Sequence, residues 1–281
     1  MTGDTAEPEE IARIEGFDPG RPNPARIYDY LLGGKDNFAA DRDAAAELAR
    51  ALPDAALVAR ANRAFLAAAV RYVAGRGIGQ YVDVGAGLPT RPNVHECARQ
   101  SVPDARVAYV DNDAVVVAHA RALLATDDLV TVISKDARDY AALLSGPELG
   151  AFIDLSQPVC ALFVSMLHFL PAAEADAAVA AFRERMAPGS YLVISVGANT
   201  ERNVPVRDQI QSAYGDRVLT GRSPAEIAAL FGDFELVPPG IVPVTDWPLD
   251  SAGPSQPPLL RQVPSAPTKA RMLAGIGRKR A

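Results

Sequence analysis

The sequence predicts an α/β fold: a mostly parallel sheet with helices on both faces and a helical N-terminal extension. Short, nearly continuous apolar runs alternate with helical stretches between residues 80 and 196, as is typical of parallel strands that are buried on both faces. The first of these runs ends in a two-glycine turn at residues 85–87. Residues 23–77 carry helical patterning alone. Together these observations indicate a Rossmann-like core that begins near residue 78.

The N-terminal extension is predicted as three helices over residues 23–77, after a loose polar lead-in over residues 1–22. Asn23 offers a cap and Pro24 suits the first helical position, while the glycines at 33 and 34 end this first helix. Further helices are expected over residues 37–52 and 54–74, with Pro53 between them. We expect these helices to pack on the core as a lid.

The core is predicted to extend over residues 78–281. Strands are expected at residues 80–84, 106–110, 129–133, 159–164, 191–196, 234–237 and 270–275. Helices are expected from the glycine turn to about residue 101 and at residues 114–125, 172–186, 205–214 and 224–231. Nine prolines within residues 238–268 predict an extended surface loop there.

Composition and charge exclude some classes of protein. The net charge of −6 leaves no basic excess for the phosphates of a nucleic acid, and the basic ending Arg278-Lys279-Arg280 is expected only to keep a terminus solvated. The acidic start lacks the apolar stretch of a signal peptide, and no apolar run is long enough to span a bilayer. Cys97 and Cys160 lie in apolar segments and suit buried thiols. The chain is therefore expected to be cytoplasmic, with no membrane partner.

The turn Asp83-Val84-Gly85-Ala86-Gly87 is the clearest ligand-binding motif. Its glycines let bare backbone approach a ligand, and the next helix, with Pro92 expected in its first turn, would point its positive end at the same place. A dinucleotide fingerprint needs a third glycine at position 90, where Thr90 stands. Asp83 would repel a phosphate but suits a ligand end that carries an ammonium and a carboxylate. The motif thus predicts the methionine end of S-adenosylmethionine (SAM), the alternative being a turn without a ligand.

Acidic residues also end the next two predicted strands. Asp111 can accept hydrogen bonds from both ribose hydroxyls, with Asn112 beside it, whereas Asp113 suits a cap for the following helix. At the third strand, Asp136 can accept a hydrogen bond from an adenine amino group while the backbone N–H of Ala137 donates to a ring nitrogen. A helix cap is the alternative for Asp136.

This set of residues resembles the class I SAM-dependent methyltransferases. More specifically, the chain resembles a bacterial family of such enzymes, long described as a domain of unknown function (S-adenosyl methyltransferase family 19). The resemblance covers about residues 22–279 and rests on residues 25–38, 61–66, 83–90, 109–113 and 275–279. It implies a class I methyltransferase sheet, and an N-terminal segment that closes over the cofactor and helps to form the acceptor pocket, with Tyr28 and Asn37 as contacts. The chain departs from the wider class at Pro89, where a third glycine often lies.

Ser165 and His168 follow the fourth strand, where the methyl acceptor usually approaches in class I enzymes. Ser165 is a candidate cofactor contact. His168 is a candidate general base because its ordinary pKa lies near neutrality, and a hydrogen-bonded structural histidine is the alternative. The sequence has no Asn-Pro-Pro-Tyr block, which would mark amine methylation, and no clear set of metal ligands, since His95 lacks a second histidine four residues on.

The function predicted from these residues is methyl transfer from SAM to an unidentified, small-molecule acceptor. A non-catalytic SAM-binding regulator is the alternative, because it would need the same cofactor residues but no acceptor pocket. A nicotinamide-dependent oxidoreductase is disfavoured by the missing third glycine. Neither the acceptor nor the oligomeric state is indicated by the sequence.

Overall fold

A computed structural model describes residues 18–199, 207–215, 217, 219–248 and 272–280. Most of the predicted lead-in and residues 249–268 of the proline-rich segment lie outside the described residues. Within the described ranges, no helix combines the length and the apolar character that crossing a bilayer would require.

The N-terminal extension forms three helices close to their predicted positions: α1 (Pro24–Leu32), α2 (Ala39–Ala51) and α3 (Ala55–Ala74). The Asn23 side chain accepts a hydrogen bond from the Ala25 N–H at 2.8 Å, and Gly33 ends α1 with φ 86°. These are the cap and the left-handed end expected from the sequence.

Within the described residues, the core is a sheet of eight strands. Its strands are β1 (Gln80–Val84), β2 (Arg106–Asp111), β3 (Val130–Ser134), β4 (Cys160–Val164), β5 (Tyr191–Gly197), β6 (Glu235–Leu236), β7 (Val242–Pro243) and β8 (Met272–Arg278). Strands β1 to β5 are parallel in the order β3-β2-β1-β4-β5, and β8 pairs antiparallel with β5, β6 and β7. The carboxyl ends of five parallel strands therefore meet at one edge of the sheet.

The helices that follow the strands are α4 (Val94–Ala98), α5 (Ala114–Leu123), α6 (Tyr140–Ser145), α7 (Pro147–Gly150), α8 (Ala172–Arg185), α9 (Arg207–Ala213) and α10 (Pro224–Phe231). Alternate strand residues enter separate apolar clusters on the two faces: Tyr81 packs in the cluster that contains α3, and Val82 in the one that contains α8. Both residues are fully buried, so the continuous apolar runs are explained by burial on two faces. Cys97 and Cys160 are free, buried thiols, as predicted.

Two predictions are wrong: the start of the helix after the glycine turn, and the solvated C-terminal tail. The helix after the glycine turn does not include Pro92 in its first turn; α4 begins at Val94, where Glu96 accepts a hydrogen bond from the Asn93 N–H at 2.7 Å. The basic ending is not a solvated tail. Strand β8 continues to Arg278, and the Lys279 ammonium donates to the carbonyls of Arg183 and Met186 at 2.6 and 2.8 Å. Unpaired backbone acceptors at the end of α8 thus hold the C-terminus on the core.

A buried polar network ties α1 and α2 to the sheet. The carboxylate of Asp41, which is fully buried, accepts hydrogen bonds from the Asn23 N–H, the Arg26 Nε–H and the Phe38 N–H at 2.8, 2.8 and 2.9 Å. Asp113 accepts from the Asn23 side-chain amide at 2.5 Å, while its other oxygen caps α5. Asp113 therefore does more than the capping expected of it, since it also anchors the N-terminal helices.

Candidate functional site

A cavity of about 560 Å³ lies at the carboxyl ends of β1 to β5, beneath α1 to α3. The ends of β1, β2 and β3 form what we term the cofactor half, lined by Asp83, Gly85, Ala86, Gly87, Asp111, Asn112, Asp136 and Ala137. The ends of β4 and β5, the N-terminal helices and α9 form the acceptor half. Its lining is largely apolar and includes Leu48, Leu52, Val58, Leu66, Ser165, Met166, His168, Phe169, Ile210 and Tyr214.

The glycine turn has the left-handed conformations that the motif predicts, with φ 70° at Gly85 and φ 68° at Gly87. Its N–H groups are used within the protein. Those of Gly85 and Ala86 donate to the Val110 carbonyl at 2.8 and 3.1 Å, and that of Gly87 donates to the Asp111 carboxylate at 2.9 Å. The turn therefore does not present these N–H groups and a helix N-terminus to an anion, because α4 begins seven residues after Gly87.

Alanine substitutions at the two glycines should have different effects. Both force an L-residue into the left-handed region, at about 1–2 kcal/mol. A Cβ at Gly87 would lie 4.0 Å from the Ala25 Cβ, an ordinary van der Waals contact, whereas a Cβ at Gly85 would lie 2.8 Å from the Met166 Cβ, which is too close. We expect Gly85→Ala to lower the free energy of unfolding by about 1–3 kcal/mol more than Gly87→Ala, the range typical of overpacking. Urea denaturation of both variants measures this, and equal losses would contradict it.

Asp83 is a buried carboxylate that faces the cavity, with 5% of its surface exposed. Within the described part of the chain, no group donates a hydrogen bond to it. Burial raises its pKa to about 7, and the nearby Asp111 charge adds to this rise while the Arg63 guanidinium opposes it. A buried carboxylate in this state is suited to a cationic ligand group.

Asp111 lies next to Asp83, at the end of β2. Its two oxygens accept hydrogen bonds from the N–H groups of Gly87 and Asp113 at 2.9 and 3.0 Å, and burial raises its pKa. Each carboxylate oxygen retains capacity for a further donor, since an ionised carboxylate accepts about four hydrogen bonds. The position thus suits a ligand hydroxyl pair.

Asp136 has two functions in the structure. It caps the short 3-10 helix Ala137–Asp139 by accepting from the Arg138 N–H at 2.8 Å, as the alternative interpretation predicted. It also pairs with the Arg138 guanidinium at 2.7 Å and accepts from the Asn112 amide at 2.9 Å. The hydrogen bond from the Arg138 side chain is the main reason that its pKa falls to about 2. Asp136 is therefore an ionised carboxylate on the cavity wall that already accepts four hydrogen bonds, three from Arg138 and one from Asn112.

Tyr28 and Asn37, from the N-terminal segment, are placed differently. Tyr28 lines the cavity, but its hydroxyl donates to the Ala59 carbonyl and accepts from the Asn62 amide, both at 2.9 Å. Asn37 is not among the lining residues. Its amide donates to the Asp29 carboxylate at 2.8 Å, so the polar cluster after α1 forms an internal loop around Asp29.

Ser165 and His168 both line the cavity beyond β4. Ser165 has φ 59°, a conformation that costs a non-glycine residue about 1–3 kcal/mol and clusters at functional sites. The fold holds it there because its N–H donates to the Ser195 carbonyl and hydroxyl at 2.9 and 3.0 Å. The imidazole Nδ1 of His168 lies 3.4 Å from the Gly197 backbone nitrogen.

Sequence reasoning missed part of the acceptor half. Phe169 and Tyr214 line the cavity with ring centroids 5.2 Å apart, although one follows β4 and the other follows α9. No local pattern marks Tyr214. Phe169 could have been found, because it adjoins His168 at the end of a predicted strand. Arg63 is a further lining residue, and its guanidinium donates to the Thr90 and Pro92 carbonyls.

Two solved structures resemble this chain over nearly its whole length. A solved structure of a candidate methyltransferase from Thermobifida fusca YX is 41% identical, with a TM-score of 0.84, and the match covers 95% of this chain and 98% of that one. A protein of the DUF574 family from Streptomyces avermitilis MA-4680 is 34% identical, with a TM-score of 0.84, and covers 93% of this chain and 99% of that one. No curated protein matched the sequence.

The family comparison covers nearly the whole chain. Residues 10–280 match the family described as S-adenosyl methyltransferase. The aspartates at the ends of β1, β2 and β3 and the twin glycines of the turn all lie within this match. The chain therefore belongs to the S-adenosyl methyltransferase family, with a Rossmann-like fold and SAM as its cofactor.

Proposed function

We propose that the protein transfers the methyl group of SAM to a small molecule held in the acceptor half of the cavity. One observation carries the proposal: Asp83, Asp111 and Asp136 lie at the ends of three adjacent parallel strands and line the same cavity. A carboxylate as buried as Asp83 is normally paired, and it has no hydrogen-bond donor among the described residues. A ligand ammonium would supply the missing partner.

The residues of the cofactor half fit SAM. Asp83 would pair with the ammonium of the methionine end, and Asp111, with Asn112 beside it, would accept from the ribose hydroxyls. The Ala137 N–H would donate to an adenine ring nitrogen, and Asp136 would accept from the adenine amino group in exchange for one of its bonds from Arg138 or Asn112. The left-handed turn at Gly85 and Gly87 would let the backbone approach the ligand closely. When bound, SAM supplies an electrophilic methyl carbon on a sulfonium.

In this proposal the protein positions SAM and the acceptor and keeps water away from them. Helices α1 to α3 cover the cavity, and α2 and α3 contribute Leu48, Leu52, Val58 and Leu66 to its apolar wall. We propose that this N-terminal segment is the lid of the site. Orienting two reactants in a closed cavity accounts for much of the rate gain of a group transfer. An apolar chamber beside the cofactor half favours a small-molecule methyltransferase over a non-catalytic SAM-binding regulator.

Calorimetry with SAM, S-adenosylhomocysteine and NAD tests the proposal. We expect SAM and S-adenosylhomocysteine to bind and NAD not to bind; binding of NAD alone would contradict the cofactor assignment. Turnover of labelled SAM with a metabolite extract then tests catalysis, and its absence in a protein that binds SAM would favour a regulator.

Removal of the Asp111 carboxylate should weaken the binding of SAM. Asp111→Ala is expected to cost about 1–3 kcal/mol in binding, as for hydrogen bonds to a charged group. Asp127→Ala is a matched control, because Asp127 pairs with Arg99 outside the cavity and should leave the dissociation constant unchanged. Unchanged affinity in Asp111→Ala would remove this residue from the site.

A further inference from the structure

The protonation state of His168 is determined by its neighbour on β5. The backbone N–H of Gly197 points at His168 Nδ1 with an N···N distance of 3.4 Å. A backbone N–H can only donate, so Nδ1 must be the nitrogen without a proton. In a neutral imidazole the proton then lies on Nε2. No described residue forms a hydrogen bond with Nε2, although the ring lines the cavity.

The surroundings of His168 keep its imidazole neutral. Burial lowers its pKa to about 4. Two charged residues of the cavity wall have other partners: Asp29 accepts from the Asp36 N–H at 3.0 Å and from Asn37, and Arg63 donates to backbone carbonyls. At neutral pH His168 is thus a hydrogen-bond donor through Nε2 and has no lone pair to offer a substrate proton.

The wall around His168 is aromatic and apolar. The ring of Phe169 lies 4.2 Å from the His168 ring and 5.2 Å from the Tyr214 ring, between centroids. Burial raises the pKa of Tyr214, which keeps its hydroxyl neutral. The helices α2, α3 and α9 contribute mainly aliphatic residues to the rest of the wall, together with the polar side chains of Asn62, Arg63 and Gln211. Flat rings bind well against such surfaces.

We propose that His168 orients the acceptor as a donor through Nε2–H, and that the acceptor is a neutral, planar heteroaromatic molecule whose nucleophile is a pyridine-type ring nitrogen. A carbonyl or ether oxygen elsewhere on the acceptor would take the His168 hydrogen bond. The acceptor chemistry rests on the proposed methyltransferase function; the state of His168 does not.

The reaction balances without a base. The in-plane lone pair of the ring nitrogen forms the bond to the methyl carbon, the carbon–sulfur bond breaks, and its electron pair stays on sulfur. The positive charge moves to the heteroaromatic ring, and no proton is released. Such a nucleophile agrees with a site in which neither His168 nor Tyr214 can accept a proton at neutral pH. It also agrees with the absence of an Asn-Pro-Pro-Tyr block.

The histidine state can be measured directly. In the full chain labelled with 15N-histidine, three histidines are present, and His168→Gln identifies the signals of His168. We expect the Nε2–H tautomer from pH 5.5 to pH 8, with and without S-adenosylhomocysteine. An Nδ1–H tautomer, or a titration near pH 6–7, would overturn the assignment whether or not the protein is a methyltransferase.

Two probes of matched ring size test the acceptor class. With labelled SAM, 6-acetylquinoline should be methylated on nitrogen at least tenfold faster than 6-acetyl-2-naphthol, whose oxygen must lose a proton. His168→Gln, which retains a donor, should keep about tenfold more activity than His168→Leu. Faster turnover of the naphthol, or equal loss in both variants, would overturn the proposal. The proposal would also be overturned if the protein bound SAM in calorimetry but methylated neither probe. If the protein did not bind SAM, the proposed function itself would be contradicted.

Discussion

Asp83→Asn is expected to weaken SAM binding by about 3–5 kcal/mol at pH 8, the loss that follows when one partner of a buried ion pair is removed. The carboxylate is 5% exposed and faces the cavity without a hydrogen-bond donor among the described residues. Asparagine has nearly the same shape, so the cavity should keep its form. The variant loses the charge that would pair with the ligand ammonium. Calorimetry with SAM at pH 8 measures the difference.

The affinity of the wild-type protein should also depend on pH, in a direction fixed by the raised pKa of Asp83. In the ligand-free protein this pKa is about 7, and an ammonium binds only the ionised carboxylate. Below pH 7 a proton must leave before the ligand binds. Affinity should therefore fall about tenfold for each pH unit below 7, and remain constant just above it. In Asp83→Asn this dependence should disappear.

The stability of the ligand-free protein should change in the opposite direction. A carboxylate whose pKa rises on folding contributes stability that is present below its unfolded pKa, 3.8, and is lost as the pH rises through about 7. Asp83→Asn should therefore be more stable than the wild type at pH 8, with the difference absent at pH 4. Asp43→Asn, on the exposed face of α2, is the control. If Asp83→Asn were less stable than the wild type at pH 8, this would contradict the description of Asp83 as a buried carboxylate without a hydrogen-bond donor.

The parts of the fold that the sequence predicts are those with local causes. Continuous apolar runs mark β1 to β5 because both faces of the sheet are covered, and Asn23 and Gly33 mark the ends of α1 because capping depends on single residues. The aspartates at strand ends could be placed together because carboxyl ends of parallel strands share one edge of the sheet.

The features of the fold and the site that the sequence does not predict depend on contacts between distant segments. The N–H groups of the glycine turn are taken by Val110 and Asp111, whose positions follow from the pairing of β1 with β2. The aromatic wall joins Phe169 to Tyr214 across a gap of 45 positions, and no periodicity records such a contact. The hydrogen bonds of Lys279 could not be predicted for the same reason, because their acceptors lie at the end of α8, far away in the sequence.

The largest loss of stability is expected from Asp41→Asn. Asp41 and Arg26 are 0% and 3% exposed and lie 2.8 Å apart. Removal of the Asp41 charge leaves the buried Arg26 guanidinium with the more distant Asp113 carboxylate, 3.8 Å away, and a buried pair that loses one partner costs up to about 3–5 kcal/mol. The same carboxylate accepts from the Asn23 and Phe38 N–H groups, so the ends of α1 and α2 should loosen together. Urea denaturation measures the loss, and Asp43→Asn on the same helix should change stability by less than about 0.5 kcal/mol.

A double substitution separates the charge from the packing. In Arg26→Met with Asp41→Leu, no charge of the pair remains buried, and apolar side chains of similar length fill the space. Because replacing a buried ion pair by apolar residues is often neutral or stabilising, we expect the double variant to be more stable than either single variant. If the double variant were the least stable of the three, the hydrogen bonds to Asn23 and Phe38, and not the charge balance, would hold the N-terminal helices to the sheet. In that case SAM binding should weaken with stability in all three variants, since the same helices cover the cavity.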